Sequence, residues 1–256
     1  KKASDYCIGE QKTMENVKPL FNGTSRDTIY VESWQRRKDG QKRLLAWYCR
    51  SLKDESSKIT GALSSARDIT EERESQQNLK LFAEILEILN STDPQKNMLK
   101  EILHLIRVKF DFEAVGIKLR DGNDFPYAAY EGFSESFIEN HKSLLVLKDG
   151  IPQKEKDGTF QLKCFCGCIL GGKTDISHPA CTEKGSFWTN SLQKMKQFDS
   201  VCKERGYLPN DCSNAGYESF ALIPIRNNKE IIGLIQIADH MPDKLTPGLI
   251  NFLENH

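Results

Sequence analysis

The sequence predicts an α+β protein in two parts: an antiparallel three-stranded segment joined by a long helix to a larger antiparallel domain. Three observations predict it. Residues 28–70 alternate polar and apolar side chains in three runs separated by turn residues, the period of half-buried strands. Residues 71–91 lack Gly and Pro and place Leu79, Phe82, Leu86 and Leu89 at 3-4-3 spacing, which lines them up on one helical seam. Beyond them, strand hairpins flank an irregular stretch at 146–217, and a closing amphipathic helix comes last.

In chain order, Thr28–Arg37 reads as the first strand, with Ile29, Val31 and Ser33 on one face and Tyr30, Glu32 and Trp34 on the other. Lys38-Asp39-Gly40 makes a tight hairpin turn into the second strand, Gln41–Lys53, and the third runs over Lys58–Thr70. Cys49, Trp34 and Trp47 read as packing residues of this sheet. Asp68 and Glu71 have the spacing of a capping box, and the acids of the first turn suit the positive end of the helix dipole. Ser91-Thr92-Asp93-Pro94 breaks the helix, and Pro94 opens a second one over about 95–109. Residues 113–120 and 125–130 read as strands, and Ser134–Leu145 as a helix. Ser219–Arg226 and Lys229–Ala238 form a hairpin about Asn227-Asn228. The last helix, from Thr246-Pro247, is still amphipathic at His256, the pattern expected of a piece of a longer chain.

Charge excludes some functions. Among 256 residues, 36 basic and 36 acidic side chains cancel, so no overall field recruits nucleic acid or an acidic membrane. No run approaches the roughly 20 apolar residues of a membrane span, and the N-terminus does not read as a signal peptide. The expected location is the cytoplasm, with no nucleic-acid or membrane partner.

Eight cysteines are many for such a chain, and six of them, Cys164, Cys166, Cys168, Cys181, Cys202 and Cys212, fall in one stretch. In a reducing compartment this points to metal, cofactor or redox chemistry before structural disulfides. Cys164, Cys166 and Cys168 alternate with Phe165 and Gly167, which on a strand would put all three thiols on one face. Soft thiolates select zinc, copper(I), iron–sulfur clusters or haem iron. The expected metal ligands are Cys164, Cys166, Cys168 and Cys212, with Cys202, Cys181 or His178 as possible completions. Cys164, Cys166 and Cys212 are the preferred trio. The same thiols could instead be redox-active, or pack as small hydrophobes. The Gly185–Ser191 segment offers Trp188 and Asn190 as cofactor-binding residues of a pocket wall, although Trp188 could equally plug the core. Gly167–Thr174 satisfies the phosphate-loop spacing G-x-x-x-x-G-K-T, but Asp175-Ile176-Ser177-His178-Pro179, directly after it, is poor helix material.

Two resemblances organise these readings. Arg37-Lys38-Asp39-Gly40 and Asp68-Ile69-Thr70-Glu71, at the ends of neighbouring strands, resemble the C-terminal half of a PAS domain over Thr28–Arg73. Gly216-Tyr217-Glu218-Ser219, Ala221–Ile225 and Ile231–Gln236 resemble a GAF domain over about 93–256. Cys164-Phe165-Cys166-Gly167 and Gly185–Ser191 are similar to a subgroup found in the sensor regions of PAS–GAF histidine kinases. The expected layout is a partial PAS domain at 1–70, a signalling helix at 71–91 and a GAF domain at 92–256 with a Cys-rich insertion at about 146–217. The resemblance implies a sensory module detecting a small ligand, metal, haem or redox state. It also implies a parallel homodimer and a downstream kinase domain in the parent protein. No catalytic domain is recognisable in the chain. Alternatives are a thiol redox enzyme such as a GAF-fold sulfoxide reductase, a phosphate-loop enzyme, or a ligand-free dimerisation module. The insertion is expected to fold as a flap over a cavity, with its sulfur atoms gathered there.

Overall fold

The computed structural model describes residues 11–21, 28–91, 97–197 and 214–255, and the chain divides into two compact units at Gln77/Asn78. In the first unit, helix α1 (Gln11–Phe21) packs on β1 (Ile29–Arg36) and β2 (Lys42–Lys53), burying Leu20. With β3 (Ile59–Asp68) these strands form an antiparallel sheet in the order β1-β2-β3. Gly40 takes φ 88° at the first turn, where its N–H donates to the Arg37 carbonyl at 3.0 Å, a geometry that a side chain would oppose. Val31, Ser33, Leu44, Ala46 and Cys49 face inward. Trp47 is half-buried and its indole N–H donates to Ser33 Oγ. Trp34, expected as a packing residue, points outward with Tyr30, because the alternation that buries Val31 and Ser33 turns both rings to the other face.

Helix α2 (Thr70–Leu89) begins one residue earlier than expected, and its start is fixed differently. Asp68 Oδ1 accepts from the Thr70 N–H at 3.0 Å and the Thr70 hydroxyl at 2.6 Å, so its partner is Thr70 and not Glu71. Thr70 Oγ1 in turn accepts from the Leu44 N–H at 2.8 Å, tying the start of the helix to the middle strand. That hydroxyl also holds the Asp68 carboxyl below its usual range. The proposed seam divides. Leu81 is fully buried and Phe82 and Ile85 lean on the core of the second unit, whereas Leu79, Leu86 and Leu89 stand 68 %, 40 % and 51 % exposed.

The second unit is built on one antiparallel sheet in the order β5-β4-β10-β9-β8, formed by β4 (Ala114–Leu119), β5 (Tyr127–Glu131), β8 (Phe187–Thr189), β9 (Ser219–Asn227) and β10 (Glu230–Asp239). The fold class is therefore α+β with antiparallel sheets. Alternation sorts each strand between two faces. Val115, Ile117, Ala221, Ile223 and Ile237 meet the end of α2, helix α3 (Met98–Phe110) and the last helix, α6 (Pro247–Asn255). Lys118, Phe187, Phe220, Leu222, Leu234 and Gln236 face the other way and are covered by helix α4 (Glu135–Asn140) and the insertion. Gly233 allows β10 to run close to β4, since a Cβ there would stand 2.3 Å from the Lys118 carbonyl oxygen.

Helix α4 stops well short of the expected Leu145. The Leu144 N–H is bound at 2.8 Å by Asp124 in the β4–β5 turn, which draws the chain away from the helix axis. The insertion is more regular than expected. It holds a small hairpin of β6 (Leu147–Lys148) and β7 (Ile151–Pro152), helix α5 (Cys164–Leu170), the edge strand β8 and a 3-10 turn at Leu192–Gln197. Among the described residues no helix is long and apolar enough to cross a membrane.

Candidate functional site

The reactive side chains gather where α5 lies on the sheet. Cys164-Phe165-Cys166-Gly167-Cys168 folds as a helix and not as a strand, so the three thiols do not share one face: successive residues turn by about 100°, which sends Cys166 away from the Cys168 side. Local chemistry favours the helix. Gly167 lets it lie against Leu162, whose Cβ would be 2.6 Å from a Cβ at that position. Gly172, at φ 64°, ends it, with its N–H donating to the Ile169 carbonyl at 3.0 Å. All seven residues are buried. Phe165 stacks on Phe187 with ring centroids 4.5 Å apart, fixing the helix to the edge strand.

Cys164 enters α5 with φ 54°, a left-handed conformation that costs a non-glycine residue about 1–2 kcal/mol. Cys166 lowers the Cys164 pKa first, outweighing burial, and the charges of Lys118 and Lys163 act in the same direction. Cys168 donates to the Lys173 carbonyl at 3.3 Å, and Cys181 beyond it is pushed up to about 11, chiefly by burial.

Lys118, which sequence reasoning missed, is fully buried on β4. Its ammonium donates to the His141 carbonyl at 2.7 Å and lies 3.6 Å from the centre of the Tyr127 ring. The Tyr127 hydroxyl donates to Gln236 Oε1 at 2.7 Å, and Gln236 is itself buried. The only sequence signal was a lysine inside the apolar run Ala114–Leu119. A cation buried this deeply needs compensation, and the carbonyls of His141 and Phe125 together with the Tyr127 ring supply it.

The other expected site residues lie elsewhere. Trp188 sits on the opposite face of the sheet from α5, against the α3 and α6 side, because its neighbour Phe187 occupies the α5 side of the same short strand. Asn190 braces a loop: its side-chain amide donates to the Leu245 carbonyl at 2.8 Å, and its oxygen accepts from Ser219 Oγ and the Leu245 N–H. His178 Nδ1 accepts from the Ala180 N–H within its own turn. Cys202 and Cys212 lie outside the described residues. Among the described residues, no cluster of three or more His, Cys, Asp or Glu is placed to hold a metal ion. The α5 geometry does not gather Cys164, Cys166 and Cys168 into a three-thiolate site for zinc or an iron–sulfur cluster. Nor does the phosphate loop form, since its first glycine lies inside a helix that precedes the lysine, and Lys173 pairs with Glu155 at 3.1 Å.

The insertion bounds one hollow, but its sulfur atoms do not line it. A cavity of about 420 Å³ between the β4–β5 turn and the insertion is lined by Arg120, Asn123, Glu155, Asp157 and Lys173, and a larger one of about 600 Å³ opens between α2, α3 and α6, lined by Ile85, Ile102, Ile106, Ile225 and Phe252. Neither is lined by a cysteine.

No protein-family model matches the sequence, and no curated protein matches it. Among solved structures, the chain is similar to the GAF domain of an Acinetobacter phosphoenolpyruvate-protein phosphotransferase, at 12 % identity over 70 % of this chain and 86 % of that one, TM-score 0.45. It is similar to the GAF domain of the phosphoenolpyruvate-protein phosphotransferase of Coxiella burnetii at 14 % identity, over 70 % and 88 % of the two chains, TM-score 0.46. Similarity extends to the free methionine-R-sulfoxide reductase of Neisseria meningitidis at 11 % identity, over 72 % and 84 %, TM-score 0.45.

Proposed function

We propose that this chain is a sensory module in which a GAF-type unit registers a chemical event beneath α5 and passes it through the sheet to its helices. One observation carries the reading. Helix α5, which carries the buried thiols, packs on β9 and β10, and α3 and α6 line the opposite face of the same sheet. A packed interior transmits displacement because it has few voids to absorb it. On the sequence resemblance, the first unit is the end of a PAS domain, the parent protein is a sensor histidine kinase, and the chain itself is not an enzyme. The exposed Leu79, Leu86 and Leu89 support a parallel homodimer through α2.

Gly167→Ala tests the coupling without any ligand. The added methyl would stand 2.6 Å from Leu162 Cβ and 2.7 Å from its carbonyl oxygen, so α5 must shift. Amide hydrogen exchange is expected to rise in α5 and to change in α6 and over Leu81–Leu89 as well. Faster exchange confined to α5 would remove the basis for the proposal.

A further inference from the structure

Apart from the thiols, we infer that His240 is a pH-operated clasp. As an imidazolium it ties the turn leading into β9 to the α3–β4 turn, and on losing a proton it lets the β9 turn go. His240 directly follows β10, and each of its ring nitrogens faces an oxygen. Nδ1 lies 2.6 Å from Glu113 Oε2, and Nε2 lies 2.9 Å from the Ala215 carbonyl oxygen. A carbonyl only accepts hydrogen bonds, and so does an ionised carboxylate. A neutral imidazole has one N–H and must turn a lone pair on one of these oxygens, whereas the doubly protonated ring satisfies both. The ring is held on a third side by Tyr217, 5 % exposed, whose centroid lies 4.5 Å away. Tyr217 in turn meets Phe133 and Phe137 edge-on, so the β9 turn is packed against the aromatic cluster at α4.

The surrounding charges set the direction of the response. Among the described residues, Glu113 faces the ring from the α3–β4 turn, Asp239 from the end of β10 and Tyr217 from the β9 turn. Behind them, Lys244 lies 3.9 Å from Asp239 Oδ2 but 2.8 Å from Asp111 Oδ2, and Arg107 of α3 donates to the Glu113 carbonyl at 3.0 Å. The hydrogen bond to Glu113 raises the His240 pKa most; burial takes back part of that, and the Ala215 carbonyl and the charges of Glu113 and Asp239 add to it. A raised value means that the clasp is complete below about pH 6.5, the ordinary histidine value, and is lost as pH climbs through the folded value.

Charge also decides which contact yields. Glu113 Oε2 accepts the His240 backbone N–H as well, at 3.2 Å, and a hydrogen bond to a carboxylate is stronger than one to a carbonyl. The neutral ring therefore keeps its proton on Nδ1, and the bare Nε2 repels the Ala215 oxygen. Glu218, just beyond, stays in place, because its N–H donates to the Asp239 carbonyl at 2.9 Å and neither group titrates. Deprotonation thus releases the lead-in turn and not the strand. Since α5 packs on β9, protons act beside that contact by a route that needs no thiol.

The test is a nuclear magnetic resonance titration of the full chain from about pH 5 to about pH 9, bracketing the ordinary histidine value. Ala215-Gly216 is the one Ala-Gly step in the sequence, so labelling with carbonyl-13C alanine and 15N glycine isolates the Ala215 carbonyl. Ring-labelled histidine reports the imidazoles, and His240→Gln identifies the His240 signal. The His240 ring is expected to titrate with a midpoint above about 6.5, and the Ala215 carbonyl to move with that same midpoint. Glu113 is exposed, so Glu113→Gln should fold, and in it both midpoints should fall together toward the ordinary value, a joint movement that a merely structural histidine would not show. In His240→Gln the Ala215 signal should stay flat across the range. A wild-type midpoint at or below the ordinary value, an Ala215 carbonyl that ignores the ring, or equal midpoints in wild type and Glu113→Gln would each overturn the inference. None of these results touches the coupling tested by Gly167→Ala, so the two readings fail separately.

Discussion

Phe187→Ala is expected to destabilise the Asn78–His256 unit by about 3–5 kcal/mol, the cost of emptying a fully buried aromatic site. The ring joins two things at once. It stands on the edge strand paired to β9, and it stacks on Phe165 of α5, with Phe220 as a further aromatic neighbour. Losing it leaves a void under the helix that carries the thiols, so Cys164 should become alkylatable under native conditions at concentrations of reagent that leave wild type intact. Urea unfolding followed by circular dichroism measures the first effect and timed alkylation the second. A loss below ~1 kcal/mol, with protected thiols, would mean that α5 does not rest on this ring.

The second large effect is expected at Gly132, between β5 and α4. It takes φ 84°, and a Cβ there would stand 1.9 Å from the Glu113 carbonyl oxygen. Gly132→Ala therefore combines left-handed strain with a collision against backbone, which cannot swing aside as a side chain can. A loss above ~2 kcal/mol is expected from those two terms together. The displaced residues lead into α4, where Phe133 ahead of the helix stacks on Phe137 at 4.9 Å and His141, just past its end, supplies the carbonyl that holds Lys118. The variant should consequently also change Cys164 reactivity. Unchanged stability in urea would show that the β5–α4 connection can relax and that the cradle of Lys118 is not built on it.

How far the sequence could be read depended on whether the relevant force was local. The hairpins at Gly40 and Asn227-Asn228 were legible, because turn residues and period-two alternation act over a few positions. The two faces of β1 were assigned correctly by that alternation. At Cys164–Cys168 the same method failed. Five residues alternating Cys with Phe or Gly satisfy a strand, but Phe165 and Ile169 also satisfy a helix, and the Gly171-Gly172 pair just beyond was the stop signal that favours the helix. Phe187 and Trp188 show a different limit. Adjacent aromatics on a strand must face opposite ways, and only the tertiary partners, α5 for one and the α6 side for the other, decide which faces which. Lys118 was illegible for the same reason. A lysine within a strand reads as the solvent-facing position, and it becomes interior only because α4 and the insertion cover that face of the sheet.

Amide hydrogen exchange of the unmodified chain, compared between the fully reduced and the peroxide-treated protein, bears most directly on whether chemistry under α5 reaches the far side of the sheet. Faster exchange at Cys164–Leu170 together with altered exchange in Pro247–Asn255 is the result expected here. A protein whose α5 thiols are oxidised while Pro247–Asn255 exchanges as before would contradict it.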